Sequence, residues 1–84
     1  MENIKKVQVN KANGLDPREI SKVVILANKF SSDVHLEYKG YKIDAKSIMG
    51  LLSLFINNGD QVTLTASGND AEDALNQLSE QISK

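Results

Sequence analysis

Asp33-Val34-His35-Leu36-Glu37-Tyr38, the dipeptide Lys39-Gly40, and Tyr41-Lys42-Ile43-Asp44-Ala45 decide the fold. Successive side chains of a strand point to opposite faces, so Val34, Leu36 and Tyr38 share one side while Asp33, His35 and Glu37 share the other. After the dipeptide the alternation resumes, with Tyr41, Ile43 and Ala45 set against Lys42 and Asp44. Two alternating runs joined by two residues predict a β-hairpin with one buried face. A hairpin that is wet on one side belongs to an antiparallel sheet covered on the other.

Outward from the hairpin, the flanking segments supply the cover. Upstream, residues 3–10 hold Val7 and Val9 in alternation and read as a strand, which Ala12-Asn13-Gly14 ends. Asp16-Pro17-Arg18-Glu19 then reads as a helix start: Asp16 as N-cap, Pro17 at the first helical position, and Glu19 at capping-box spacing. Ile20, Val23, Val24 and Ala27 follow at i, i+3, i+4, i+7, with Phe30 continuing that face. Downstream, Ser47 opens an apolar stretch from Ile48 to Ile56 that Asn57-Asn58-Gly59 stops. Its length and spacing predict a short helix, which Gly50 weakens by about 1 kcal/mol. Leu51, Leu54 and Phe55 share one stripe of it and are candidate core. Gln61–Ala66 alternates again, with Val62, Leu64 and Ala66 inward. Ser67-Gly68-Asn69-Asp70 closes that strand and caps a last helix whose apolar face is Ala71, Ala74, Leu75, Leu78 and Ile82. The order is β-α-β-β-α-β-α. It is an α+β fold, an open-faced β-sandwich with a four-stranded antiparallel sheet and three helices on one face.

Eighty-four residues, with no linker, repeat or low-complexity segment, form one domain spanning residues 1–84. With no cysteine and a single histidine, the chain has no disulfide, no thiolate zinc site, no cysteine nucleophile and no multi-histidine metal site. Residues 1–46 carry nine Lys/Arg against six Asp/Glu, and residues 47–84 carry one against five. Neither half has the clustered basic stripe of a nucleic-acid binder. The longest uncharged run, Ser47–Gly59, is 13 residues, short of the roughly 20 that span a bilayer. A reducing cytoplasm is the expected setting.

The element order, with the segments DVHLEYKGYKIDAKSIMGLLSL and VTLTASGNDAEDAL, resembles HPr, the small phosphocarrier of the bacterial phosphoenolpyruvate:sugar phosphotransferase system. The likeness covers nearly the whole chain. Its most specific part is Lys46-Ser47-Ile48-Met49-Gly50, which is similar to the regulatory-serine segment of HPr from Gram-positive bacteria. The departure lies at the chemical centre. The family motif Gly-(Ile/Leu)-His-(Ala/Thr)-Arg-Pro-Ala is matched by Gly14-Leu15-Asp16-Pro17-Arg18-Glu19-Ile20. Asp16 stands where the phosphorylated histidine would be, Arg18 matches the family arginine, and Glu19 replaces proline. In type, the chain resembles the catabolite-repression paralogue within that family, which has glutamine at the histidine position and keeps the serine.

The resemblance implies that Ser47 is the serine phosphorylated by HPr kinase/phosphorylase. It also implies that Ile48, Met49 and Leu52 form an exposed docking patch, with Asp16 and Arg18 at its rim, for a catabolite-control transcriptional regulator and possibly Enzyme I. No catalytic residue, cofactor or metal is expected, so the protein reads as a regulator and not an enzyme. Three readings of Asp16 stand side by side. It is a helix N-cap, a fixed negative charge where the carrier bears its phosphohistidine, or an aspartyl-phosphate carrier in sugar uptake. An adaptor with an unrelated partner is the remaining alternative. His35, mid-strand on the polar face, reads as a solvated strand residue. Phe55 departs from the small residue of close relatives and reshapes the patch.

Overall fold

The computed structural model describes residues 2–84. Its elements are β1 (Glu2–Gln8), α1 (Pro17–Ala27), β2 (Asp33–Tyr38), β3 (Tyr41–Asp44), α2 (Ile48–Leu52), β4 (Gln61–Ser67) and α3 (Ala71–Ser83). The sheet order is β1-β4-β2-β3, and every neighbouring pair is antiparallel. The hairpin that decided the fold pairs Leu36 with Ile43 and Tyr38 with Tyr41. Lys39 and Gly40 both take positive φ, 50° and 87°, as a type I′ turn demands when it follows the twist of its strands.

The three helices lie on the face that carries Val34, Leu36, Val62, Leu64 and Ala66, all at most 1% exposed. They contribute Ile20, Val23 and Ala27 from α1, Leu51 from α2, and Ala74, Leu78 and Ile82 from α3. This is the predicted open-faced sandwich. Gly50 belongs to it: a Cβ there would meet Ile43 Cγ2 at 2.6 Å, so the bare glycine lets α2 sit directly on β3.

Several local readings are corrected. Tyr41, expected on the buried side, is 66% exposed, because β3 is an edge strand and no helix reaches over its first residue. The second helix stops at Leu52 instead of running toward Ile56. Phe55 takes φ 52° just beyond it, which breaks the helical period. The predicted core stripe therefore keeps Leu51, leaves Leu54 half-buried and puts Phe55 in water at 80% exposure, while Ile56 enters the core. Glu19 stands at capping-box spacing, but its carboxylate turns to Lys11 and Lys22 instead of to the Asp16 backbone. Asp70 precedes α3 without capping it through its side chain.

Candidate functional site

The approach to α1 is fixed before the helix begins. Gly14 has φ 67°, and a Cβ on it would run into the Ile56 carbonyl and the Asn57 backbone. Leu15 N–H donates to that same Ile56 carbonyl at 2.9 Å, and Asn58 Oδ1 accepts from Lys11 N–H at 3.1 Å. The loop before α1 is thus clamped to the segment after α2. The clamp sets Asp16 beside the end of α2, although 36 residues separate Asp16 from Leu52.

Asp16 is half-buried and extended, with φ −73° and ψ 176°. Its Oδ1 accepts from Glu19 N–H at 3.0 Å, which satisfies one of the donors that every helix start leaves open. Its Oδ2 takes no hydrogen bond among the described residues. Arg18 is exposed and forms no ion pair among the described residues. The carboxylate of Glu19 lies between two ammonium groups, 3.7 Å from Lys11 Nζ and 3.6 Å from Lys22 Nζ, so most of its charge is balanced locally.

Ser47 caps α2 in the same manner. Its Oγ accepts from Gly50 N–H at 3.2 Å, its carbonyl accepts from Leu51 N–H, and the residue stays half-exposed. Lys46 next to it is engaged elsewhere, donating to the Phe30 carbonyl at 2.9 Å. A five-residue helix hides one stripe only. Leu51 takes the buried place, Met49 is 77% exposed and Ile48 40%, and Leu52 packs partly on the core.

The structure brings Asp16 and Leu52 together. Both line a concavity of about 250 Å³ between the start of α1 and the end of α2, with Pro17, Phe55 and Asn57 beside them. Phe55 sits on this rim and not in the core stripe, because α2 ends at Leu52 and the chain turns left-handed at Phe55. The signal was Asn57-Asn58-Gly59: a turn so close downstream leaves no room for a second turn of helix. His35 faces the uncovered side of the sheet, opposite Asp44 and Thr65 and away from α1 and α2. Among the described residues no three His, Asp or Glu side chains converge to hold a metal ion, and no helix is long and apolar enough to cross a membrane.

A family model described as the PTS HPr component phosphorylation site matches residues 4–84. The HPr-like protein Crh of Bacillus subtilis (strain 168) is 49% identical over 73 residues, covering 87% of this chain and 86% of that protein. Crh of Halalkalibacterium halodurans is 43% identical over 74 residues, covering 88% of each. Among solved structures, the phosphocarrier protein HPr of Bacillus anthracis str. Ames superposes with a TM-score of 0.94 at 42% identity, covering 96% of each chain. A crystal structure of Bacillus subtilis Crh, described as a swapped-domain dimer, superposes at 0.76 with 46% identity, covering 93% of this chain and 90% of that one.

Proposed function

The chain belongs to the HPr family, and from that premise we propose that it is a regulatory module of carbon catabolite control, switched by phosphorylation of Ser47. Family members are phosphocarriers or regulators rather than catalysts, and in this reading the chain is a kinase substrate and not an enzyme. The observation that carries it is a contrast between two helix starts. Asp16 stands where the resemblance places the phosphocarrier histidine, while Lys46-Ser47-Ile48-Met49-Gly50 is intact, half-exposed at Ser47 and apolar beside it.

The chemistry follows from these positions. HPr kinase transfers the γ-phosphoryl group of ATP to Ser47 Oγ, which gives up its proton, and ADP leaves. The added group carries about −1.5 to −2 charge and three acceptor oxygens. It sits at the positive end of α2, so the fold tolerates it. A transcriptional regulator with basic groups facing Ser47 gains charge-assisted hydrogen bonds, and Met49 and Ile48 supply apolar contact next to them. Asp16 and Arg18 lie at the rim of that surface. The protein works in the cytoplasm, where ATP, the kinase and the regulator meet.

The test uses two phosphoryl donors. ATP with HPr kinase should label the wild-type chain and leave Ser47→Ala unlabelled. Phosphoenolpyruvate with Enzyme I should give no acid-labile phosphohistidine at His35. Label on Asp16 instead would establish the aspartyl-phosphate carrier. No label on Ser47, from a kinase active on ordinary HPr, would leave a plain adaptor. After labelling, titration against the regulator should show tighter binding of the phosphorylated form, and Met49→Asp should weaken binding of both forms.

A further inference from the structure

We infer that the concavity between α1 and α2 is a guanidinium subsite, built by Asp16 and Phe55 to take one arginine side chain of a partner protein. Three separate observations converge on it. The first is the Asp16 carboxylate: one oxygen is spent on Glu19 N–H, and the other has no partner among the described residues and stays open to solvent. An apolar side chain closing over it would strip water from an unpaired charge, which is costly, whereas a cation would compensate it.

The second observation is Phe55. Its φ of 52° lies in the left-handed region, where a bulky residue is a genuine outlier, and its side chain is 80% exposed. The ring adds little to the core and sits on backbone that glycine would adopt freely. A feature that opposes stability and faces solvent at the mouth of a concavity finds its use in contact with another molecule. The third observation is the lining. Pro17 and Leu52 supply an apolar wall for a methylene stem, and Asn13 and Asn57 complete the lining.

Asp16 is the one charged side chain in the lining. Arg18 lies outside the lining, and Glu19 is balanced by Lys11 and Lys22. The N-terminal end of α1 opposes a cation, but with about half an elementary charge against the full charge of Asp16. Arginine fits better than lysine because its planar group both forks onto a carboxylate and stacks on an aromatic face while shedding water readily. The place that receives a phosphoryl group in a phosphocarrier is here arranged for the opposite sign. This inference rests on the HPr reading only in taking this face as the docking face; it does not need Ser47 to be phosphorylated.

The experiment titrates the ¹⁵N-labelled full chain with N-acetyl-arginine N-methylamide, and in parallel with the citrulline analogue, which keeps the shape and loses the charge. Arginine should move the amide signals of Leu52, Phe55 and Asn57, and bind at least about threefold more tightly than citrulline. Asp16→Asn retains an N-cap oxygen, so the helix survives while arginine falls to the citrulline level. Phe55→Gly suits the positive φ and should weaken arginine binding by about two- to fivefold. Equal binding of arginine and citrulline, an unchanged response in Asp16→Asn, or shifts centred on Glu72 and Asp73 of α3 would each overturn the subsite. Kinase labelling of Ser47 in Asp16→Asn is a separate readout, so a failed subsite and a failed regulatory reading are told apart.

Discussion

Asp16 and Asp70 occupy the same kind of position, the residue before a helix, and do different work. Asp16 folds its carboxylate back onto Glu19 N–H of its own helix. Asp70 turns away from α3 and accepts from Ser31 N–H at 2.9 Å, from Ser32 N–H at 3.0 Å and from the Ser32 hydroxyl. Those serines belong to the loop between α1 and β2, 38 and 39 residues earlier. Ser32 is 1% exposed and packs against Gly68, so its backbone and hydroxyl need a partner from inside the fold. Donors at an exposed helix start can turn to water. An aspartate serves whichever unsatisfied donors are least able to reach solvent, and sequence position alone does not say which those are.

The largest effect should come from breaking the clamp that makes Asp16 a local cap. Gly14→Ala forces a Cβ into the left-handed region and against backbone atoms that cannot swing aside. The cost should be about 2–3 kcal/mol, the sum of a conformational penalty and a steric one. For a chain of this size that lowers Tm by roughly 10–20 °C. A Tm within a few degrees of wild type would show that the loop before α1 shifts freely, and the rigid half of the comparison would be lost.

Asp70→Ala comes next and should exceed Asp16→Ala, because it releases a loop and not only a helix end. Hydrogen bonds from the Ser32 hydroxyl and from Ser31 N–H hold the Asp70 carboxyl down at about 2. An unfolded aspartate titrates near 3.9. The folded pKa is the lower one, so this stabilisation is fully present above about pH 4 and is lost as pH falls toward about 2. Denaturant midpoints measured from pH 6 down to pH 2 should therefore fall more steeply for wild type than for Asp70→Ala, with the two curves converging at the acid end. Parallel curves would mean that the loop bonds are not what lowers the carboxyl.

At Asp16 the expected loss is smaller. Asp16→Ala removes one cap and should cost about 1 kcal/mol, and Asp16→Asn should cost only a few tenths because an amide oxygen caps equally well. Chemical denaturation resolves the difference. If asparagine costs as much as alanine, the charge and not the cap oxygen stabilises the α1 start, and the free Oδ2 would have a structural duty.

The same contrast marks how far the sequence could be read. The hairpin, the Asp16-Pro17 start, the faces of α1 and α3 and the Ser47 cap rest on interactions within four residues or on strict alternation, and they are written in the local pattern. Tyr41 and Asp70 are set by something distant. Tyr41 is exposed because β3 lies at the edge of the sheet. Asp70 is recruited by a loop on the other side of the chain. The concavity that Asp16 and Leu52 both line depends on Leu15 N–H finding the Ile56 carbonyl, a pairing that no spacing rule contains. In the candidate site, residue identities and caps were legible, and the concavity joining them was not.

Phe55 supplies the smallest effect and the sharpest test of that division. Phe55→Gly removes a left-handed penalty of about 1–2 kcal/mol. Glycine also loses more chain freedom on folding, which returns about 0.5–1 kcal/mol of that gain. Little packing is forfeited, since the residue is 80% exposed. The balance is a stabilisation of about 0.5 kcal/mol, or a rise in Tm of roughly 2–4 °C. Phe55→Ala keeps the penalty and should not rise. Differential scanning calorimetry on the two variants decides between them. If both fall by a similar amount, the ring is packing against the protein, and the core stripe Leu51, Leu54 and Phe55 read from the sequence was nearer the truth than its exposure suggests. If glycine alone rises, the aromatic ring is held against the preference of its own backbone, and its value lies in what it touches beyond this chain.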